Sequence, residues 1–444
     1  MKIIYRGFIY LSFSMVIAIA FISCQGRTKS TTPTSGSNAN PVRLTYMMWG
    51  RPDELATVQE YIKKFNVKYP NIQVKILHYP QNYQDKLKTM MAGGTPPDVM
   101  YIGLEDFPSY ANKDVLLDLQ PYINRDKGND FPWSDFYPQT IEPFKYKGDY
   151  YGIAKDFATL VLYYNKDMFD KEKLAYPTDK WTWDDFRSAA EKMTKDINGD
   201  GKPDQYGFVL ETWMGEWAPW IWQNDGEIMD VAKNKWLLGD PRYINQNIET
   251  FQFLVDLVWG KKQVAPKPMV TQDMGTQELF KTGKVGMCTY GRWMCMDFKH
   301  ITAFKWDVSV LPYKKKRATA LFTVCYAISK KCPYPEEAWQ LIKFLTGPEG
   351  QIATAESGHA ISTLRTLADS PHFLEAPVLP KGLNNHAHLD GIPYAQPTPS
   401  SPMYREIDTL IGRELDLMWR GQRSPKETIQ RIQPQVEKLL TQNK

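Results

Sequence analysis

The 444-residue chain has little of what marks an enzyme. It carries no G-x-S-x-G, no H-E-x-x-H and no phosphate-cradling glycine loop, which removes the commonest serine-hydrolase, zinc-protease and nucleotide-hydrolase signatures. It has no charge excess: 54 Lys and Arg face 50 Asp and Glu, a formal net charge of +4. That balance argues against a nucleic-acid partner, so "KKKR" at 314–317 reads as a solvated turn. Six histidines are few, and the pair His386 and His388 in "GLNNHAHLDGIPY" has no carboxylate–histidine helix beside it, so it reads as a surface loop rather than a zinc site. Of five cysteines, four follow Cys24: Cys288, Cys295, Cys325 and Cys332. Three disulfide pairings are open to them and spacing does not choose; Cys288 and Cys325 sit in apolar strand-like runs that suit buried thiols. The paired carboxylates Asp184–Asp185 and Glu336–Glu337 stand at helix starts, where they complement the dipole. Beyond residue 22 no apolar run is long enough to cross a bilayer.

The N-terminus is the one strongly apolar stretch. Lys2 and Arg6 precede a run from Phe8 to Ile22, then Ser23 and Cys24. A charged start, a short apolar core and a small residue before Cys describe an export signal of the lipoprotein kind, residues 1–23, with Cys24 as the lipidation site. Removal of Lys2 and Arg6 with the signal leaves a net charge of +2. Residues 24–41, "CQGRTKSTTPTSGSNANP", cannot bury enough apolar surface to offset ordering and read as a flexible tether.

From residue 42 the chain alternates strands and helices. "RLTYMMWG" is a strand, Leu55, Val58, Ile62 and Phe65 follow helical spacing, and "NIQVKILHY" alternates. A further helix (82–94) and the strand "TPPDVMYIG" complete strand–helix–strand–helix–strand in under 65 residues, which indicates a parallel sheet with helices on its faces. Ligands of such sheets bind beyond the carboxyl ends of the strands, which makes Trp49 a candidate. A second α/β unit follows, with two strand-like runs interrupted at Lys155–Asp156, and a helix opening at Thr182 with Asp185 three residues on, close to a capping box.

"DINGDGKPDQYGF" (196–208) has the look of half an EF-hand. Asp196, Asn198, Asp200, the Lys202 carbonyl and Asp204 fall on alternate positions, but the twelfth position is Gly207 rather than a bidentate Glu. Oxygen ligands at this spacing suit Ca²⁺. With no paired hand and no exiting helix, the expectation is a structural ion, not a sensor.

Six segments in this order resemble the family 1 extracellular solute-binding proteins, the receptor subunits of bacterial ABC importers for sugars and oligosaccharides. They are "GGTPPDVMYIG" (93–103), "YGIAKDFATLVLYYNKDMF" (151–169), "DINGDGKPDQYGF" (196–208), "LFKTGKVGMCTYGRWM" (279–294), "AISKKCPYPEEAWQLIKFLTGPEGQ" (327–351) and the tail "WRGQRSPKETIQRIQPQVEKLL". The resemblance runs over residues 42–440. It implies an α/β, two-lobed periplasmic-binding-protein-like fold with the ligand cleft between the lobes and crossover strands joining them. Residues 42–157 with 318–358 would form the N-terminal lobe, and 158–317 with 359–444 the C-terminal lobe. Crossings would fall near Asp156–Leu160, near Lys314–Ala320 and around 350–365.

The implied function is capture of a sugar and delivery to a membrane permease. The implied receptor is a monomer, held outside the cytoplasm by its lipid anchor. A secreted glycoside hydrolase or polysaccharide lyase is the rival, because aromatic rings and scattered carboxylates serve both. A sugar receptor needs flat rings for apolar faces and charged or amide groups for hydroxyls. Of 14 Trp in the chain, those the family fold would turn toward the cleft are Trp49, Trp213, Trp217 and Trp293, joined by Asp156, Asp225, Tyr290 and Arg292. Trp220 and Trp222, at helical spacing beyond Trp217, read as core. Arg292 could pair a uronic carboxylate.

Overall fold

The computed structural model of the protein describes residues 40–441. Along the chain, β1 (Val42–Met48), β2 (Ile72–His78) and β3 (Val99–Gly103) alternate with helices. The first helix, Pro52–Lys68, starts on proline with Asp53 and Glu54 in its first turn, ends on Lys68, and buries Val58, Ile62 and Phe65. Those three fall on one face at a spacing of three to four residues. A hairpin, β4 (Lys145–Tyr146) with β5 (Asp149–Tyr150), leads to β6 (Ile153–Thr159), which runs through Leu160 into β7 (Val161–Asn165). Next come β8 (Tyr206–Phe208), a second hairpin of β9 (Met229–Asp230) with β10 (Lys235–Trp236), β11 (Val285–Tyr290) and β12 (Trp306–Ser309). The ten-residue β13 (Thr319–Ile328) and the short β14 (Ala395–Pro397) close the set. The helix Trp183–Met193 opens with the full capping box, Thr182 and Asp185 bonding each other's backbone N–H.

Two sheets result. One has the order β14-β13-β3-β1-β2 with β6 also paired to β13, and the other has β12-β7-β11-β8. In the first, β2, β1 and β3 are parallel, while β13 runs antiparallel to β3 and β6. Its core holds residues from Leu44 to Ala154 and from Cys325 to Leu364. The second sheet is buried on both faces: Leu162 and Tyr164 of β7 point into one cluster, Val161 and Tyr163 into another. That alternation is the two-residue period of a strand.

The chain passes between sheets where β6 becomes β7. Leu160 donates its N–H to the Ala320 carbonyl at 3.2 Å, and Thr319 Oγ1 donates to the Leu160 carbonyl at 2.7 Å, so the outgoing and returning strands are tied to each other. The return runs from Ser309 to Thr319. The strand break expected at Lys155–Asp156 is not there; both lie inside β6, and the pairing irregularity falls opposite them, between Val324 and Cys325. A third strap follows the helix Pro348–Glu356, where Ile361 bridges Phe157 and Leu364 bridges Phe136. One lobe boundary needs correcting. The expected C-terminal lobe takes in all of 359–444, yet Leu364 packs in the N-terminal core and β14 extends the N-terminal sheet. The helices Tyr404–Trp419 and Pro425–Thr441 do pack on the C-terminal core.

Cys288, Cys295, Cys325 and Cys332 are free thiols. His388 is not on a surface loop: it is fully buried in the short helix His386–Asp390, 3.9 Å from Cys295 Sγ, and Thr159 Oγ1 donates to its carbonyl. Among the described residues no helix is long and apolar enough to cross a membrane. Cys24, the signal and most of the tether lie outside the described residues.

Candidate functional site

Trp49, the residue after β1, is half-buried, with its ring edge-on to Tyr83 at 4.8 Å and to Tyr101 at 5.2 Å. Lys155 on β6 reaches the same place. Its Nζ lies 5.0 Å from the Tyr101 ring centre, 3.1 Å from Glu54 Oε1, and in contact with Asp156 Oδ2. Burial alone would lower the Lys155 pKa, but Asp156 and Glu54 outweigh it and hold the ammonium charged well above its ordinary range. Next to them, Asp53 pairs with Arg51 at 3.3 Å and lies 3.8 Å from His359 Nε2. Burial pushes the Asp53 carboxyl up, yet His359 and Arg51 bring the net shift below the usual carboxylate range. His359 is itself 9% exposed with no hydrogen-bond partner at Nε2, and burial lowers its pKa.

The C-terminal lobe supplies rings. Trp213 precedes the helix Met214–Gln223 in an extended conformation and is 40% exposed. Its ring lies 5.2 Å from Phe322 of β13, and Trp293 meets the same Phe322 edge-on at 5.3 Å. Glycine makes this packing available: a Cβ on Gly215 would run into the Trp213 and Phe322 rings, and one on Gly291 into the Trp293 ring. One ion pair joins the lobes beside these rings, Arg51 with Asp297 of the short helix Cys295–Phe298.

Four expected ligand residues fall elsewhere. Trp217 is 1% exposed and packs on Phe251 at 5.3 Å inside the C-terminal core, with no open face. Asp225 lies past the far end of the helix Met214–Gln223, which is about 15 Å long at 1.5 Å rise per residue, and there it pairs with Lys316 at 3.4 Å. Tyr290 is sealed edge-on against Tyr163 and Phe298, and its hydroxyl donates to Glu211 at 2.8 Å. Arg292 is wholly buried, over the Phe373 ring at 4.3 Å and bonded to Asn385 Oδ1; burial lowers its pKa. It cannot meet a uronic carboxylate without opening the lobe. Of the other four, Trp49 meets Tyr83 and Tyr101, Asp156 pairs with Lys155, and Trp213 and Trp293 both lie against Phe322. Arg51, Glu54, Lys155, Phe322 and His359 join these contacts without a signal in the sequence, because their partners are remote in the chain or, for Phe322, lie in an apolar strand whose half-open positions only the fold reveals.

In the loop 196–204 the acidic side chains hold their own backbone. Asp196 Oδ1 accepts from Gly199 at 2.7 Å and Oδ2 from Gly201 at 2.8 Å, Asp200 Oδ1 from Lys202 at 2.9 Å, and Asp204 Oδ2 from Ile197 at 2.8 Å. The donor set, all oxygen, fits Ca²⁺ in chemistry. In this geometry, among the described residues, no three Asp, Glu, His or Cys side chains converge on one point.

The sequence pattern of the bacterial extracellular solute-binding proteins matches residues 49–352. The chain belongs to that family. Its place of work is therefore outside the cytoplasm, and the family's members are binding proteins. The chain is 26% identical over 265 residues to the arabinooligosaccharide-binding protein of Bacillus subtilis, a match that covers 58% of this chain but only 55% of that protein. An ABC substrate-binding protein of Listeria monocytogenes, solved in complex with cycloalternan, superposes with a TM-score of 0.81 at 27% identity, covering 90% of this chain and 99% of that one. A maltose-bound T. maritima protein shares the two-lobed fold at 23% identity, with a TM-score of 0.74 and coverage of 90% and 100%.

Proposed function

We propose that the chain is the carbohydrate receptor of an ABC importer, taking an oligosaccharide into the cleft between its lobes and handing it unchanged to a membrane permease. The observation that carries this is the pairing of an aromatic ledge, Trp213 and Trp293 on Phe322, with the ionic groups of Glu54, Lys155 and Asp156. Rings suit the apolar faces of a sugar, and charged groups suit its hydroxyls. The cycloalternan-bound relative supports an oligosaccharide over a monosaccharide. Ligand held by both walls favours the closed arrangement, with rotation absorbed at Leu160 and at 310–318.

The test is a thermal-shift screen of cycloalternan, maltotriose and arabino-oligosaccharides, followed by recovery of the sugar. A receptor gains stability by linkage and returns the sugar intact; shortened or unsaturated products would instead establish the hydrolase or lyase. The receptor acts as a monomer anchored through a lipid on Cys24, so a Cys24→Ser protein should lose fatty-acid labelling and leave the membrane fraction. It also holds a structural Ca²⁺ on Asp196, Asn198, Asp200, Asp204 and the Lys202 carbonyl. The ion would neutralise three carboxylates in a nine-residue loop. Chelator should then lower Tm and added Ca²⁺ restore it, with Asp200→Ala indifferent to both; a melting curve unmoved by chelator removes the ion.

A further inference from the structure

Two adjoining hollows on the C-terminal lobe, of about 710 and 600 Å³, share Gly201, Pro203 and Gln263 and so form one continuous groove. Its lining carries six cations, Lys192, Lys261 and Lys262 at one end and Lys202, Lys267 and Arg420 at the other, all exposed. The lining has one acid, Glu191, which is already bonded to Lys262 at 2.7 Å and to Arg187 at 3.2 Å. At the border, Asp416 pairs with Arg420 at 2.8 Å, and the acids of the loop 196–204 are bonded to that loop's own N–H groups. With Lys262 paired to Glu191 and Arg420 to Asp416, four exposed lysines, Lys192, Lys202, Lys261 and Lys267, are left without an ion pair among the described residues, a local field that attracts an extended anion.

The groove is not charge alone. Trp259 is 41% exposed, and its indole N–H is fixed to the Trp419 carbonyl at 2.8 Å, so the ring stands rigid in the groove with Lys267 Nζ at 4.8 Å from its centre. Tyr206 and the amides of Gln272 and Gln422 line the same end. A ring for a CH face, amides for hydroxyls and cations for carboxylates describe one chemistry. We propose that this groove binds a linear acidic glycan, at a site separate from the cleft and independent of what the cleft takes. It would hold the receptor beside anionic polysaccharide while the cleft works on its own ligand.

The probe is a linear oligogalacturonate, titrated into the full chain with fluorescence detection at several salt concentrations. Wild type should bind with an affinity that falls steeply as salt rises. Lys261→Gln with Lys267→Gln should weaken binding about tenfold or more and flatten the salt dependence, because fewer counterions are released. Trp259→Ala should cost about tenfold at every salt concentration, whereas Trp213→Ala should change nothing. Both lysines are exposed, so an unchanged Tm separates loss of binding from loss of fold. The proposal is overturned if wild type fails to bind at low salt. It is equally overturned if Trp213→Ala abolishes binding, or if single-stranded poly(dT) binds as tightly and Trp259→Ala is silent.

Discussion

On the N-terminal side of the cleft Lys155 lies between Glu54 and Asp156, whereas on the C-terminal side Trp213 and Trp293 lie against Phe322. The first wall is ionic and largely buried; the second is aromatic and partly open. Directional bonds to hydroxyls demand fixed partners, and the ionic wall is built into β6 and the first helix turn. A flat sugar face asks only for a flat ring, which a loop end such as Trp213 or Trp293 can offer. The N-terminal wall should therefore couple to stability and the C-terminal wall to affinity.

The largest effect should come from breaking the ionic wall. Lys155→Met leaves the buried Asp156 and the partly buried Glu54 without their cation, at a cost of about 3 kcal/mol, read as a lowered denaturation midpoint. On the other wall Trp213→Ala with Trp293→Ala should weaken oligosaccharide binding about a hundredfold, roughly tenfold for each ring, with a much smaller change in stability. The Arg51–Asp297 pair belongs to both walls. Both partners are partly exposed, at 41% and 25%, so Asp297→Asn should cost less than about 1 kcal/mol of stability. By lowering the closed population it should weaken apparent affinity a few-fold, measurable by calorimetry.

The smallest effect concerns protons. Burial lowers the pKa of His359 in the cleft and, more strongly, of His388 in the C-terminal lobe, where the Arg292 charge adds to it. Unfolded histidine takes a proton below about pH 6.5 that these folded groups refuse. Stability contributed by the neutral forms is therefore present above that pH and lost as pH falls toward the folded values. His388→Gln should shrink the Tm drop between about pH 7 and pH 5.5 more than His359→Gln does.

Much of this architecture was legible from periodicity. The β1–β2–β3 parallel unit, the Thr182–Asp185 capping box and the core placement of Trp220 and Trp222 all follow from spacing. The site was legible only where a side chain stood at a strand end. Trp213 and Trp217 are four apart and would share a helix face, but Trp213 is the extended residue before the helix, so one ring faces out and the other in. Arg292 and Trp293 are adjacent, and the chain turns into a 3₁₀ helix at Arg292, so the strand alternation that would have told buried from open no longer applies. Lys155 looked like a break between strands because a charged pair interrupts an apolar run; its two carboxylate partners, 101 residues away and next door, make it strand interior instead.

The measurement that bears most directly on the cleft is calorimetric titration of wild type and of the double variant Trp213→Ala with Trp293→Ala, using whichever oligosaccharide raises Tm in the screen. One site per chain, a loss of about a hundredfold in the double variant, and an unaltered sugar at the end are the expected results. Wild-type affinity in the double variant would contradict the assignment of the binding cleft to these rings.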